Sequence, residues 1–320
     1  MNYIDAHVHP LTDVDKIIEN ARRAGVSKII LLATEIPVKV VESPKVRHFL
    51  ERVSSESLFT VNLEIYKMFG TTDLLEAFRR FYTHLSETYG DKRYLSEDVI
   101  AISREYSGNG IEIIPIGSIY PELRHETLEK RLRDLLMMGV RGIKLLPTLQ
   151  LFDPLESEGF LRVLEFAEKN DLLIIIHTGC DPGPFEIPLL SQWASPSRLA
   201  KALEIFSPKI VLAHTGSYCA YRYGIWFNEA IRIMRKYDNV YGDSSAVNDY
   251  LFYTESVVRK LREEVGLERI LFGSDYPVVQ GGSIDDEVRV VLESPYLSSR
   301  EKEMILRDNA SELLKSIRRT

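Results

Sequence analysis

Short apolar segments and amphipathic segments alternate along most of the chain. Eight of the apolar segments, rich in β-branched residues, predict strands: Tyr3–His7, Lys28–Ala33, Ile111–Ile116, Gly142–Leu146, Leu172–His177, Ile210–His214, Val240–Asp243 and Arg269–Gly273. Uninterrupted runs such as Leu172–Ile176 are typical of parallel strands that are covered on both faces. Between the strands, apolar residues recur at helical spacing, as at Val14, Ile17, Ile18 and Ala21. Eight strand–helix units predict an α/β fold, a (β/α)8 TIM barrel; an open doubly wound sheet is the alternative.

The connection after the second predicted strand is longer than a barrel loop requires. Residues 35–110 contain no convincing barrel strand before the third one, but Leu74, Phe78 and Leu85 recur at helical spacing. Because βα loops lie above the active site of a barrel, we predict that 35–110 forms a helical cap within one domain spanning 1–320. The alternative is an independent subdomain or a dimerisation element, which would make the protein a homodimer.

Composition excludes several classes of partner. The chain has 320 residues, 45% of them hydrophobic, and a formal net charge of −7, so it offers no basic surface for nucleic acid. No stretch reaches the roughly 18–20 apolar residues of a membrane-spanning helix, and the amino terminus lacks a signal-peptide pattern. Two cysteines, Cys180 and Cys219, are too few for a disulfide framework. These features predict a cytoplasmic protein that acts on a small molecule, without a nucleic-acid or membrane partner.

Five metal-binding side chains lie at the ends of predicted strands. His7 and His9 end the first strand, His177 the fifth and His214 the sixth, and Asp275 follows the eighth. The carboxyl ends of the strands form the active-site face of a barrel, and residues i and i+2 of a strand point to the same side. Imidazole and carboxylate groups suit zinc and related divalent metals. A lone His-x-His is a weak signal, but with the other three residues the pattern strongly indicates a metal site.

Several motifs resemble those of a known family. They are Asp5–His9 (DAHVH), Gly142–Pro147 (GIKLLP), Ile176–Gly179 (IHTG), Leu212–Gly216 (LAHTG), Phe272–Pro277 (FGSDYP) and Asn309–Ala310. Together they resemble the amidohydrolase superfamily, in particular its branch of aminocarboxymuconate-semialdehyde decarboxylase relatives. The resemblance spans nearly the whole chain except 34–110. The motifs are specific to the superfamily but not to one reaction.

The resemblance implies a role for each of the strand-end residues. It implies that His7, His9, His177 and Asp275 bind a divalent metal, for which zinc is the first choice. Asp275 would also act as a general base. His214 would be a second catalytic residue, which orients or polarises the water or the substrate.

The resemblance leaves open whether one ion or two are bound. In members with two ions, a carboxylated lysine at the end of the fourth strand bridges them, and Lys144 lies in the matching strand. His214 would then bind the second ion. Members with one ion also carry a lysine here, and many relatives have histidine where this chain has Leu146. A lysine that packs in the barrel or faces the substrate charge is an equal alternative.

These roles predict a metal-dependent hydrolase. A metal-activated water would attack an amide, ester or lactone bond of a small molecule. The alternatives are a metal-dependent non-oxidative decarboxylase of the same superfamily and, more remotely, a barrel that binds metal without catalysis. In the loop after the sixth strand, Tyr218 and Arg222 are candidate substrate-binding residues, although Arg222 could instead pair with a surface carboxylate.

Overall fold

The computed structural model describes residues 2–35, 95–108, 110–180, 191–219, 222–278 and 282–317, with isolated positions between 44 and 83. Most of the predicted cap therefore lies outside the described residues, and its helical structure stays a prediction. Within the described part of the chain, no helix has the length and apolar character needed to cross a membrane.

Eight parallel strands follow one another around a single sheet in the order β1 to β8. Their bounds are Tyr3–Val8 (β1), Val26–Leu32 (β2), Glu112–Ser118 (β3), Gly142–Leu145 (β4), Leu173–Gly179 (β5), Ile210–Tyr218 (β6), Val240–Asp243 (β7) and Ile270–Leu271 (β8). Beyond β8 the chain returns to β1: Ala6 N donates to Phe272 O at 2.8 Å, and His9 N donates to Tyr276 O at 2.9 Å. The predicted TIM barrel is confirmed, since a doubly wound sheet reverses its strand order and stays open.

Helices cover the outside of this barrel. They are Val14–Arg23 (α1), Ser96–Tyr106 (α2), His125–Met138 (α3), Glu158–Lys169 (α4), Ala200–Leu203 (α5), Phe227–Lys236 (α6), Asn248–Tyr253 (α7), Glu255–Glu264 (α8), Ile284–Glu293 (α9), Ser299–Glu303 (α10) and Asn309–Lys315 (α11). Helix α1 shows why they form: Asp13 caps its first turn by accepting from Asp15 N, and its buried face includes Val14 and Ile17, as the periodicity predicts.

Helix α2 lies within the predicted 35–110 insertion but belongs to the barrel wall. Ser96 Oγ donates to Ser118 O at 3.1 Å, and Ser103 Oγ donates to Ile113 O at 2.7 Å, so both ends of the helix are tied to β3. Val99 and Ile102 are buried in the layer between helices and strands. The outer helical layer of the barrel therefore includes Ser96–Tyr106, and the predicted 35–110 insertion ends before this helix.

The interior of the barrel changes from apolar to polar along each strand. Alternate residues of one strand point to the same side. On β5 the apolar interior positions Leu173 and Ile175 are followed by His177, and Asp275 comes four residues after the interior Leu271, beyond the end of β8. The apolar lower part is closed by Leu313 and other residues of the carboxyl-terminal helix. Polar side chains therefore collect at the carboxyl ends of the strands, above a filled core.

Candidate metal centre

Three of the predicted ligands meet at the mouth of the barrel. The ligand atoms of His7, His9 and Asp275 all lie within 4.8 Å of one another, and all three residues are buried. The Nε2 atoms of the two histidines are 3.2 Å apart, and Asp275 Oδ1 lies 3.3 Å from His9 Nε2 and 3.5 Å from His7 Nε2. The structure thus brings the carboxylate of the β8 end against the His-x-His pair of β1.

The charges in this group are set by its surroundings. Burial acts to raise the pKa of Asp275, but its hydrogen bond with His9 and the neighbouring imidazoles lower it to about 2. The pKa of His7 is lowered to about 3, first by burial and then by Lys144. At neutral pH the group therefore consists of an ionised carboxylate and a neutral imidazole of His7, which are the forms that bind metals.

Hydrogen bonding fixes which nitrogen of His7 faces the group. His7 Nδ1 lies 2.8 Å from Asp243 Oδ2. Burial acts to raise the pKa of Asp243, but the adjacent His7 holds it below its usual range, so Asp243 accepts and His7 Nδ1 donates. The lone pair of His7 Nε2 is therefore directed at His9 and Asp275. The lone pair of His7 and the negative charge of Asp275 are matched by a divalent cation, and the residues fit a metal site.

His177 and His214 form a second pair beside this group. His177 Nε2 donates to Cys180 O at 3.2 Å, and His214 Nδ1 donates to Ser245 O at 2.8 Å. Each ring therefore directs its other nitrogen, as a lone pair, at the neighbouring ring, and these two nitrogens are 3.2 Å apart. Burial lowers the pKa of both histidines. The structure places His177 against His214, outside the group of three.

Lys144 points into the same space from β4. The residue is buried, and its Nζ lies 3.2 Å from His7 Nε2, to which it donates. Its charge also contributes to the lowered pKa of His177. Lys144 thus faces both histidine groups, as the sequence placed it at the end of the fourth strand.

The backbone is strained at two of these residues. His214 has a φ of 61° and Asp275 a φ of 58°, in the left-handed region that costs a residue with a side chain about 1–3 kcal/mol. Hydrogen bonds hold both in place: His214 N donates to Asp243 Oδ1 at 2.8 Å, and Asp275 N donates to His7 O at 2.9 Å. Strain of this kind clusters at functional sites, which agrees with the position of both residues.

Sequence reasoning missed three polar residues of this region. Asp243 is the last residue of β7 and Ser245 lies two residues further on, and both contact His7 and His214. Asp5 Oδ1 accepts from His7 N at 3.1 Å and from Ser274 N at 3.0 Å, and burial raises the pKa of Asp5 to about 7. A signal for Asp243 was present, because it ends the seventh predicted strand as Asp275 follows the eighth.

The two predicted substrate-binding residues lie in different surroundings. The ring of Tyr218, at the end of β6, lies 5.5 Å from the His214 ring and borders the site. Arg222 is exposed, and among the described residues its guanidinium forms no ion pair. The structure thus brings Tyr218 to the histidines, whereas nothing in the described chain links Arg222 to them.

Comparison with known proteins identifies the family of the chain. A family model for amidohydrolases matches residues 114–315, and the chain belongs to this family. A search of curated proteins finds no match.

Solved structures with the same barrel include proteins of different activity. An uncharacterised TIM-barrel protein from Bordetella bronchiseptica is similar at a TM-score of 0.67 and 16% identity over 99% of both chains. A candidate 2-pyrone-4,6-dicarboxylic acid hydrolase from Pseudomonas putida has a TM-score of 0.59 and 16% identity over 98% of both chains. A 5-carboxyvanillate decarboxylase mutant from Novosphingobium aromaticivorans, with bound manganese, has a TM-score of 0.56 and 17% identity over 95% of this chain and 81% of its own. The fold thus carries both reactions, and the chain is a metal-dependent enzyme of the amidohydrolase family.

Proposed function

We propose that this protein is a metal-dependent hydrolase that cleaves an amide, ester or lactone bond of a small molecule. The observation that carries the proposal is the ionised carboxylate of Asp275, buried against the two Nε2 atoms of His7 and His9. This combination offers both a cation site and a proton acceptor at one point in the mouth of the barrel.

The proposed ligands are His7, His9, His177 and Asp275, with zinc as the first choice of ion. A second ion would use Lys144 and His214, which lie next to the first group. When bound, the cation supplies Lewis acidity that polarises a carbonyl group and acidifies a water molecule.

The protein's own residues would then handle the proton. Asp275 is ionised, so its carboxylate accepts the proton of the attacking water and later delivers it to the leaving group. His214 is neutral and held by Ser245 O through Nδ1, so its Nε2 side is available to orient the water or the substrate. The ring of Tyr218, which lies 5.5 Å from the His214 ring, would border the bound substrate.

Decarboxylation is the second candidate, and one observation favours it. The buried Lys144 ammonium lies beside His7, where it could pair with a substrate carboxylate. Loss of carbon dioxide, however, requires a proton donor at the carbon left behind. Burial lowers the pKa of both His177 and His214, so neither is poised as an imidazolium donor, whereas the proton acceptor needed for hydrolysis is present. We therefore place hydrolysis first.

The test is a reaction panel on the zinc-loaded and the manganese-loaded protein. Aryl esters, lactones, amides and aromatic carboxylates are followed for both hydrolysis and carbon dioxide release, and metal content is measured in parallel. We expect hydrolysis that is lost on chelation and restored by metal. Carbon dioxide release without hydrolysis would select the decarboxylase, and failure to bind any divalent metal would reject both reactions in favour of a non-catalytic barrel.

One variant and a matched control assign the proton acceptor. We expect Asp275→Asn to lower kcat by at least about 100-fold, because an amide cannot accept the proton. The control is Asp153→Asn, a buried aspartate whose carboxylate is engaged by Arg198 and by Leu155 N and by none of the strand-end histidines. Unchanged turnover in Asp275→Asn would refute the assigned role.

A further inference from the structure

The carboxyl end of β7 connects the two histidine groups. Asp243 and Ser245 are completely buried, with no exposed side-chain surface. Asp243 Oδ2 accepts from His7 Nδ1, whereas its Oδ1 accepts from His214 N at 2.8 Å and from Ser245 N at 3.1 Å. A single carboxylate therefore joins the His7 ring, on β1, to the strained backbone of His214, on β6.

Ser245 adds a second link between the same residues. Its Oγ lies 3.0 Å from His7 Nδ1 and 2.9 Å from His214 Nδ1, and it donates to Asp243 Oδ1. Its carbonyl oxygen accepts from His214 Nδ1. Because a carbonyl and an ionised carboxylate only accept, the protons of both imidazoles are held on Nδ1, on the side of the β7 end.

We propose that Asp243 is a positioning residue that fixes the Nδ1–H tautomer of His7 and, through the backbone of His214, the place of the second histidine group. The consequence is that His7 Nε2 presents its lone pair to the mouth of the barrel. Outer groups that orient a ligand histidine in this way commonly affect metal affinity about 10–100-fold. The inference rests on the metal site of the proposed function, which it deepens by naming what prepares that site.

Exchange of Asp243 for asparagine makes a directional test. The amide oxygen can satisfy either the two backbone donors, His214 N and Ser245 N, or the single donor His7 Nδ1. The first orientation keeps both backbone hydrogen bonds and turns the amide N–H group toward His7 Nδ1. The second orientation keeps only the bond from His7 Nδ1 and points the amide N–H group at His214 N and Ser245 N, which are donors themselves. We therefore expect the first. It forces His7 Nδ1 to accept, so the proton moves to Nε2 and the lone pair leaves the metal site.

The experiment measures tautomer and affinity separately. Nitrogen-15 spectra of the metal-free protein, with the His7 signals assigned from a His7→Gln variant, report which ring nitrogen carries the proton. Zinc affinity is measured by competition with a chromogenic chelator. In Asp243→Asn we expect His7 to change from Nδ1–H to Nε2–H and zinc to bind about 10–100-fold more weakly. The control Asp153→Asn exchanges another buried carboxylate and should change neither.

Several outcomes would overturn the inference. An Nε2–H tautomer of His7 in the unaltered protein would overturn it. This measurement needs no Asp243 variant, so it decides the matter even if Asp243→Asn does not fold. An unchanged His7 tautomer in a folded Asp243→Asn would do so as well. An affinity loss of equal size in a His7→Gln background would overturn the role assigned through His7, because the part of the loss that acts through the His7 ring must vanish there. If the unaltered protein binds no zinc, the proposed function fails, while the tautomer comparison still decides the role of Asp243.

Discussion

Gly273, two residues after the end of β8, is packed against the metal centre so closely that a single methyl group should disturb it. A Cβ atom added at this position would lie 2.8 Å from His7 Cβ and 3.0 Å from Ser245 Cβ. Both neighbours are stem atoms attached to backbone, so neither can rotate away as the end of a long side chain would. Replacement by alanine must therefore move the backbone of β1 or of the β7 end.

The size of the effect follows from these distances. Ordinary contacts begin at 3.4 Å, so the 2.8 Å contact with His7 Cβ is short by about 0.6 Å. Metal and catalytic sites need their groups within about 0.5 Å of the productive geometry. We expect Gly273→Ala to weaken zinc binding at least about tenfold and to cost about 1–3 kcal/mol of stability, the usual penalty for overpacking.

Two measurements and one control check this prediction. Thermal unfolding is followed in chelator, which isolates the packing cost, and zinc affinity is measured at a temperature where the variant is folded. The control is Gly117→Ala in β3, where the added Cβ would meet the side-chain ends of Val140 and Leu135 at 3.1 Å and 3.3 Å, away from the histidines. It should lose a little stability and keep its zinc affinity. A Gly273→Ala protein with unaltered affinity and melting temperature would refute the reasoning.

Two further predictions concern pH and metal. Burial raises the pKa of Glu287 to about 7, so the folded protein keeps a proton that the unfolded chain releases near pH 4.5, and stability falls as pH rises between these values. Glu287→Gln should flatten this fall by up to about 3 kcal/mol in denaturant titrations, and an unchanged pH dependence would contradict it. Separately, zinc at 100 times its Kd should stabilise the protein by about 2.7 kcal/mol, raising the melting temperature of this 320-residue chain by roughly 4 °C, and His7→Ala should lose this shift. Absence of the shift in the unaltered protein would count against the proposed metal site.

The barrel was predictable because its signals are local. Strand and helix periods depend on which faces of each segment are buried, and the run Leu172–Ile176 indicated a doubly covered strand before any partner was known. The strand boundaries were less predictable. Strand β6 runs on to Tyr218, past the predicted end at His214, because its later residues pair with Gly179 of β5. Strand β8 is only Ile270–Leu271, although Arg269–Gly273 was predicted, because the chain after it bonds to β1 and bends into the site.

The sequence by itself determined that His7, His9, His177, His214 and Asp275 would gather at one end of the barrel. That result needs only the strand period and the rule that parallel strands present their carboxyl ends on one face. Histidine and carboxylate chemistry then indicated a metal, and resemblance to a known family added an expected role for each residue.

Only the tertiary structure decided how these groups face one another. It grouped Asp275 with His7 and His9, set His177 against His214, and brought Asp243 of β7 to the Nδ1 atom of His7. His7 and Asp243 are 236 positions apart, so no local pattern could pair them. Hydrogen-bond direction, and with it the tautomer of each imidazole, depends on such distant partners, which the chain acquires only when the barrel closes.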